Sequence, residues 1–112
     1  MDDINKITDT LNKFVQDRDW EQFHSPKNLA MALSVEVAEL VELFQWKTQE
    51  ESWGVDIEKI KKEIADIAIF MLMISSKFNI DIIDSIFEKI EINNKKYPIS
   101  KSKGSAVKYD KL

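Results

Sequence analysis

Two acidic pairs of the same design, Glu36-Val-Ala-Glu39 and Glu63-Ile-Ala-Asp66, sit inside segments that otherwise ask for burial. Each pair is spaced i, i+3, so on a helix its carboxylates leave one face with Cβ atoms about 5–6 Å apart. At about 100° per residue, with Leu29 at zero, Leu33, Val37, Leu40 and Phe44 fall between roughly 20° and 80°, and Glu36 lies against that stripe at about 340°. Asp66 runs directly into the apolar stretch Ile67-Ala-Ile-Phe-Met-Leu-Met-Ile74. Carboxylates are seldom fully buried without partners, and two unit charges 4 Å apart repel by about 4 kcal/mol at an effective dielectric near 20. A single such pair on a charged helix is ordinarily a solvated face. Two of them on successive apolar helices leave two readings open, surface charge or a cation site. Oxygen-only donors point, in the second case, to Mg²⁺ or Mn²⁺.

The rest of the chain is patterned for helices. Asp2 and Asp3 are candidate N-caps for a first helix with Ile4, Ile7, Leu11 and Phe14 in one stripe, running to about Asp17. Ser25-Pro26 reads as an N-cap followed by proline at the first helical position, opening a second helix over Pro26 to Trp46. Met31, Val35, Ala38 and Val41 lie off its main stripe, so this helix is apolar nearly all round and is expected to be covered on two sides, by a second subunit in so small a chain. Thr48 to Gly54 reads as a loop. Asp56 caps a third helix carrying Ile57, Ile60, Ile64, Ile67, Met71 and Phe78, and a fourth runs from about Asp81 to near Asn94 with Ile82, Ile83, Ile86, Phe87 and Ile90. Pro98 and Gly104 are expected to exclude regular helix beyond it. Four helices with short connections read as an all-α four-helix bundle, a single domain over 1–112 with a short basic C-terminal tail.

Composition removes several classes of chemistry. With no cysteine there are no disulfides, zinc–thiolate sites or thiol nucleophiles, which fits a reducing compartment. The acidic opening Met1-Asp-Asp-Ile is unlike a signal peptide, and the apolar run ending at Ile74 is too short to span a bilayer, so a cytoplasmic protein is expected. The net charge of −4 conceals an asymmetry: residues 1–94 hold 10 basic and 19 acidic side chains, residues 95–112 hold 6 lysines and one acid. An acidic body suits a cation, and a basic tail suits an anionic ligand or simply a solvated terminus.

The four carboxylates fit neither of two familiar alternatives. A di-iron bundle needs Glu-x-x-His on two helices, and the fourth positions here are Glu39 and Asp66. No twelve-residue calcium loop is present. Mg²⁺ normally arrives with phosphates, and Lys89, Asn93 and Lys96 share a helical face from which they could hold a polyphosphate; there is no glycine-rich P-loop. Trp20, Phe23, Trp46 and Trp53 gather near helix ends, as core or as a stacking surface for a base. His24 could bond a base edge or cap a helix.

The combination Asp19-Trp-Glu-Gln-Phe-His24, Pro26, Asn28-Leu29, Glu36-x-x-Glu39, Phe44-Gln-Trp-Lys47, Glu63-x-x-Asp66, Lys89, Asn93, Tyr97-Pro98 and Ser102-Lys-Gly-Ser105 resembles the all-α MazG-type nucleoside triphosphate pyrophosphohydrolases, most of all the dCTP pyrophosphatase branch, from about Leu11 to Leu112. The resemblance implies that Glu36, Glu39, Glu63 and Asp66 bind Mg²⁺, with Mn²⁺ as the other candidate, and carry the catalysis, Glu39 serving as a candidate general base. It implies that Trp20, His24 and Trp46 surround the base, and that Lys89, Asn93 and Tyr97 contact the triphosphate and sugar. It further implies a homodimer or homotetramer acting on a nucleoside triphosphate, with no nucleic-acid or membrane partner. Phe70 stands where relatives carry Tyr, and Lys103 where they often carry Arg, which gives up a bidentate donor. An all-α dUTPase and a non-catalytic helical module are the rival expectations.

Overall fold

A computed structural model describes residues 2–112, and among them every regular element is helical. The order is α1 (Asp3–Asp17), a 3₁₀ turn (Glu21–Phe23), α2 (Pro26–Phe44), α3 (Gln49–Ser52), α4 (Ile57–Lys77), α5 (Ile82–Lys96), α6 (Ile99–Ser102) and a final 3₁₀ turn (Tyr109–Lys111). The all-α class and the four long helices follow the sequence pattern. None of these helices is long and apolar enough to cross a membrane. Packing divides the chain into two compact units, Met1–Asn79 and Ile80–Leu112.

In the first unit the helix starts are set by short polar side chains that take up backbone N–H groups otherwise left without partners. Asp2 accepts from the Asn5 N–H at 2.8 Å, Ser25 from Asn28 at 3.2 Å with Pro26 following at the first helical position, and Asp56 from Glu58 at 3.0 Å. α2 packs lengthwise on α4, and α1 also lies against α4. Leu29, at the N-terminal end of α2, is 1% exposed and Val15 of α1 is nearly as well covered. The inward face of α1 therefore runs through Leu11 and Val15, while Ile7 and Phe14, expected at its centre, lie exposed on its flank.

Two connections depart from expectation. α2 ends at Phe44 rather than Trp46, because the backbone leaves the helical region at Gln45, φ −58° and ψ 136°, and then turns left-handed at Trp46, φ +68°. The segment expected as a loop contains one helical turn, α3. Its cause is a capping box in which Thr48 Oγ1 accepts from the Glu51 N–H at 3.1 Å and Glu51 accepts from the Thr48 N–H at 2.8 Å.

In the second unit Asp81 caps α5, which runs two residues past Asn94 to Lys96. The tail, expected to lack regular helix, forms the single turn α6, with Pro98 at its N-cap where a missing N–H costs nothing. Gly104 then reverses the chain at φ +76°, a backbone glycine adopts without steric cost. The Tyr97 and Tyr109 rings meet edge to face at 6.0 Å, and the Lys96 ammonium lies 4.7 Å from the Tyr109 ring centre.

Candidate functional site

The pairing of α2 with α4 brings three of the four expected carboxylates together. One oxygen each from Glu36, Glu39 and Glu63 lies within 4.8 Å of the other two. Glu36 and Glu39 project from adjacent turns of α2, and Glu63 meets them from the facing turn of α4. Glu39 is exposed, whereas Glu36 and Glu63 are half-buried, each with its Oε2 shielded from solvent and lacking a hydrogen-bond partner.

The electrostatic consequences fall on those two half-buried groups. Burial, then the neighbouring Glu39 carboxylate and the charges of Asp66 and Glu63, push the Glu36 carboxyl up to about 7. Burial raises Glu63 as well, with Glu39, Asp66 and Glu42 adding to the effect. Two shielded oxygens without donors, facing a third carboxylate, are an arrangement that repels itself unless protons or a cation intervene. The donor set suits a hard divalent ion: all oxygen, no sulfur, no imidazole. Ligand oxygens around Mg²⁺ stand about 3–4 Å apart, so side-chain movements of ångström scale bring this triangle to coordinating geometry.

Asp66, expected as the fourth ligand, lies outside the triangle, although its charge bears on both Glu36 and Glu63. Glu42, not singled out in the sequence, bears on Glu63. Its signal was present in the spacing, since Glu36, Glu39 and Glu42 continue the same three-residue step along α2.

The aromatic residues divide. Trp20 packs its ring edge to face on Phe14 at 5.8 Å, and the Arg18 guanidinium covers the same Phe14 ring at 3.7 Å. Trp46 and Trp53 are 92% and 91% exposed, which removes the core alternative for both. His24 ends the 3₁₀ turn and lines a cavity of about 330 Å³ together with Leu11, Asn12, Val15 and Gln16 of α1, Glu21, and Met73, Ser76 and Lys77 of α4. A salt bridge from Lys77 Nζ to Glu21 Oε1, 3.0 Å, ties α4 to the 3₁₀ turn beside it. In the second unit Lys89 and Asn93 are exposed on α5, and Tyr97 caps its C-terminus.

Comparison with known proteins adds relatives to this geometry. A family model described as the MazG-like family matches residues 31–112. The dCTP pyrophosphatase 1 of Bos taurus is 40% identical over 105 residues, and that of Homo sapiens 37%, each alignment covering 89% of this chain. The chain spans 62% of the length of these curated relatives. Among solved structures, a pyrophosphatase from Archaeoglobus fulgidus superimposes with a TM-score of 0.84 at 36% identity, covering 88% of this chain and 94% of that one.

Proposed function

This chain belongs to the MazG-like family, and on that footing we propose that it is a Mg²⁺-dependent hydrolase splitting a nucleoside triphosphate into the monophosphate and pyrophosphate. dCTP or another deoxynucleotide is the proposed substrate, after the dCTP pyrophosphatases it is similar to. The observation that carries the proposal is the Glu36–Glu39–Glu63 triangle, with its two shielded and unpartnered oxygens.

In this reading Glu36, Glu39 and Glu63 would hold the metal, with Asp66, whose charge bears on Glu36 and Glu63, as the fourth proposed ligand. Mg²⁺, or Mn²⁺ in its place, supplies neutralisation of phosphate charge and polarisation of phosphoryl oxygens. The residues do the rest. Glu39, the exposed member, accepts a proton from the attacking water. As that oxygen bonds to phosphorus, the α–β phosphoanhydride breaks and pyrophosphate departs. Lys89, Asn93 and Tyr97 are the proposed contacts to phosphate and sugar, and Trp20, His24 and Trp46 the proposed surroundings of the base.

A homodimer or homotetramer is part of the proposal, with the whole of 1–112 acting as one domain. Met31, Val35 and Val41 of α2 are exposed by 57–58%, and Ile57, Ile64 and Met71 of α4 with Phe78 at its C-cap form an exposed row at seven-residue steps. Apolar stripes of that length on two packed helices suit a second copy of the same hairpin. A role in cleansing the nucleotide pool, in the cytoplasm, goes with this chemistry.

The test is pyrophosphate release from a panel of deoxynucleoside triphosphates with and without Mg²⁺, run on the wild type and on Glu39→Gln. The substitution should lower kcat by about 100-fold or more while the helical circular dichroism spectrum stays unchanged. Full turnover by Glu39→Gln, or metal-independent turnover by the wild type, contradicts the assignment.

A further inference from the structure

The connection between α2 and α4 forms a tip whose backbone is fixed and whose largest side chains face water. It leaves α2 through Trp46, where φ is +68°, a costly conformation for a residue with a Cβ. The single turn α3 follows, held by the Thr48–Glu51 capping box and by the Gly54 N–H on the Glu51 carbonyl at 3.0 Å. Trp53 ends that turn with 91% of its surface exposed, and Ile57, the first residue of α4, is 68% exposed. Keeping an indole in water on so fixed a backbone gains the single chain nothing and marks a surface made to be covered. Trp53 has no part in the chemistry proposed above.

Charge identifies the complement of this tip. Residues 48–57 carry Glu50, Glu51 and Asp56 and no base, so the matching surface is cationic. Residues 95–112 of the same sequence hold six lysines against Asp110 alone. They form a folded surface, with Tyr97 on Tyr109 at 6.0 Å and the type II turn Ser102–Ser105 closed by a 3.0 Å bond through Gly104. Ile99, 80% exposed, and Val107 lay apolar area among the lysines. The Lys96 ammonium already lies 4.7 Å from the Tyr109 ring centre, and an indole face attracts an ammonium more strongly than a phenol face does. Covering Trp53 alone removes about 150–250 Å², about a quarter of the roughly 800 Å² that each side of a standard interface contributes.

Resting on the second-copy part of the reading above, we propose that the α2–α4 tip docks, through Trp53 and Glu50, on the lysine-rich segment 95–112 of a second copy of this chain. This contact is separate from the one assigned to the apolar rows of α2 and α4. Trp53 is its anchor, and the carboxylates around it set orientation and partner choice. Because it pairs unlike charges at the surface, it weakens with salt.

A chain without cysteine makes the contact directly readable. Full-length Gln49→Cys and Ser105→Cys chains, co-expressed, are treated with a short bis-maleimide, and the products are weighed by intact mass spectrometry. A covalent pair with one chain of each kind should form in at least tenfold excess over the pair from Asp9→Cys and Ser105→Cys, Asp9 being exposed on α1. Trp53→Ser in the Gln49→Cys chain should lower the yield at least fivefold, Glu50→Lys at least threefold, and 0.5 M NaCl likewise at least threefold. A yield no greater than the control pair's, or one unmoved by Trp53→Ser, overturns the proposal. So does a doubly substituted Gln49→Cys/Ser105→Cys chain that links only within itself. Light scattering separates the two readings: an assembled protein without the mixed product refutes this contact alone, and a monomer at the same concentration refutes the second-copy reading with it.

Discussion

Metal uptake by the Glu36–Glu39–Glu63 triangle should be coupled to proton release, and the structure sets the size of the effect. The Glu36 carboxyl stands at about 7 in the metal-free protein, chiefly through burial and then through its acidic neighbours. A metal binds only the deprotonated form, so the apparent dissociation constant is multiplied by one plus the ratio of protonated to free carboxylate. That factor is about 11 at pH 6 and about 1.1 at pH 8, a tightening of about tenfold. The upward displacement of Glu63 acts in the same direction. At pH 7 about half a proton should leave Glu36 for each ion bound. Titration calorimetry with Mn²⁺ at pH 6, 7 and 8, in two buffers of different ionisation enthalpy, reads both quantities. Glu36→Gln should bind more weakly throughout and show a flatter pH dependence. Equal Mn²⁺ affinity at pH 6 and 8, with heats independent of buffer, would refute the account of these carboxylates.

The same groups predict how the metal-free fold responds to pH. With Glu36 raised from 4.5 to about 7, the folded chain retains a proton that the unfolded chain has released, so this contribution to stability is complete below about 4.5 and is lost as pH rises through about 7. Thermal melts should give a higher Tm at pH 6 than at pH 8 without metal, and Mg²⁺ at pH 8 should restore the difference. Trp46→Gly replaces a bulky residue held at φ +68° and 92% exposed, so urea unfolding should show a gain of about 1 kcal/mol from relief of the left-handed backbone, while KM for dCTP rises with loss of the indole. Leu29→Ala removes the side chain that is 1% exposed and should cost about 2–5 kcal/mol in the same assay.

Periodicity made the long helices legible, and cap chemistry fixed where they begin. Ser25-Pro26, Asp56 and Asp81 each mark a start through one short side chain, a purely local event. The ends of α2 and α5 were less legible, since nothing in the composition of Gln45-Trp46 announces a left-handed backbone. Thr48-x-x-Glu51 did carry its signature, but the polar run around it reads equally as loop. In the site, the three-residue step placed Glu36 beside Glu39 from the sequence alone. Which residue of α4 would face them depends on the rotation of one helix against another, and that rotation brings Glu63 into the triangle and leaves Asp66 outside. The cavity was invisible for the same reason: Asn12, Gln16, Glu21 and Lys77 come from three elements, and only tertiary packing makes them neighbours.

That α4 carries both Glu63 of the acidic triangle and Met73, Ser76 and Lys77 of the cavity wall has a geometric consequence for any reshaping of this protein. A helix is a rigid rod on which position and direction are locked together, so an insertion of one residue between Asp66 and Met73 would lengthen the rod by about 1.5 Å and swing its far end by about 100°. The spacing between carboxylates and cavity can therefore change only in jumps of nearly a full turn, about 5.4 Å. Only an exchange of side chains along α4, with the helix itself left as it is, alters that relation by smaller amounts.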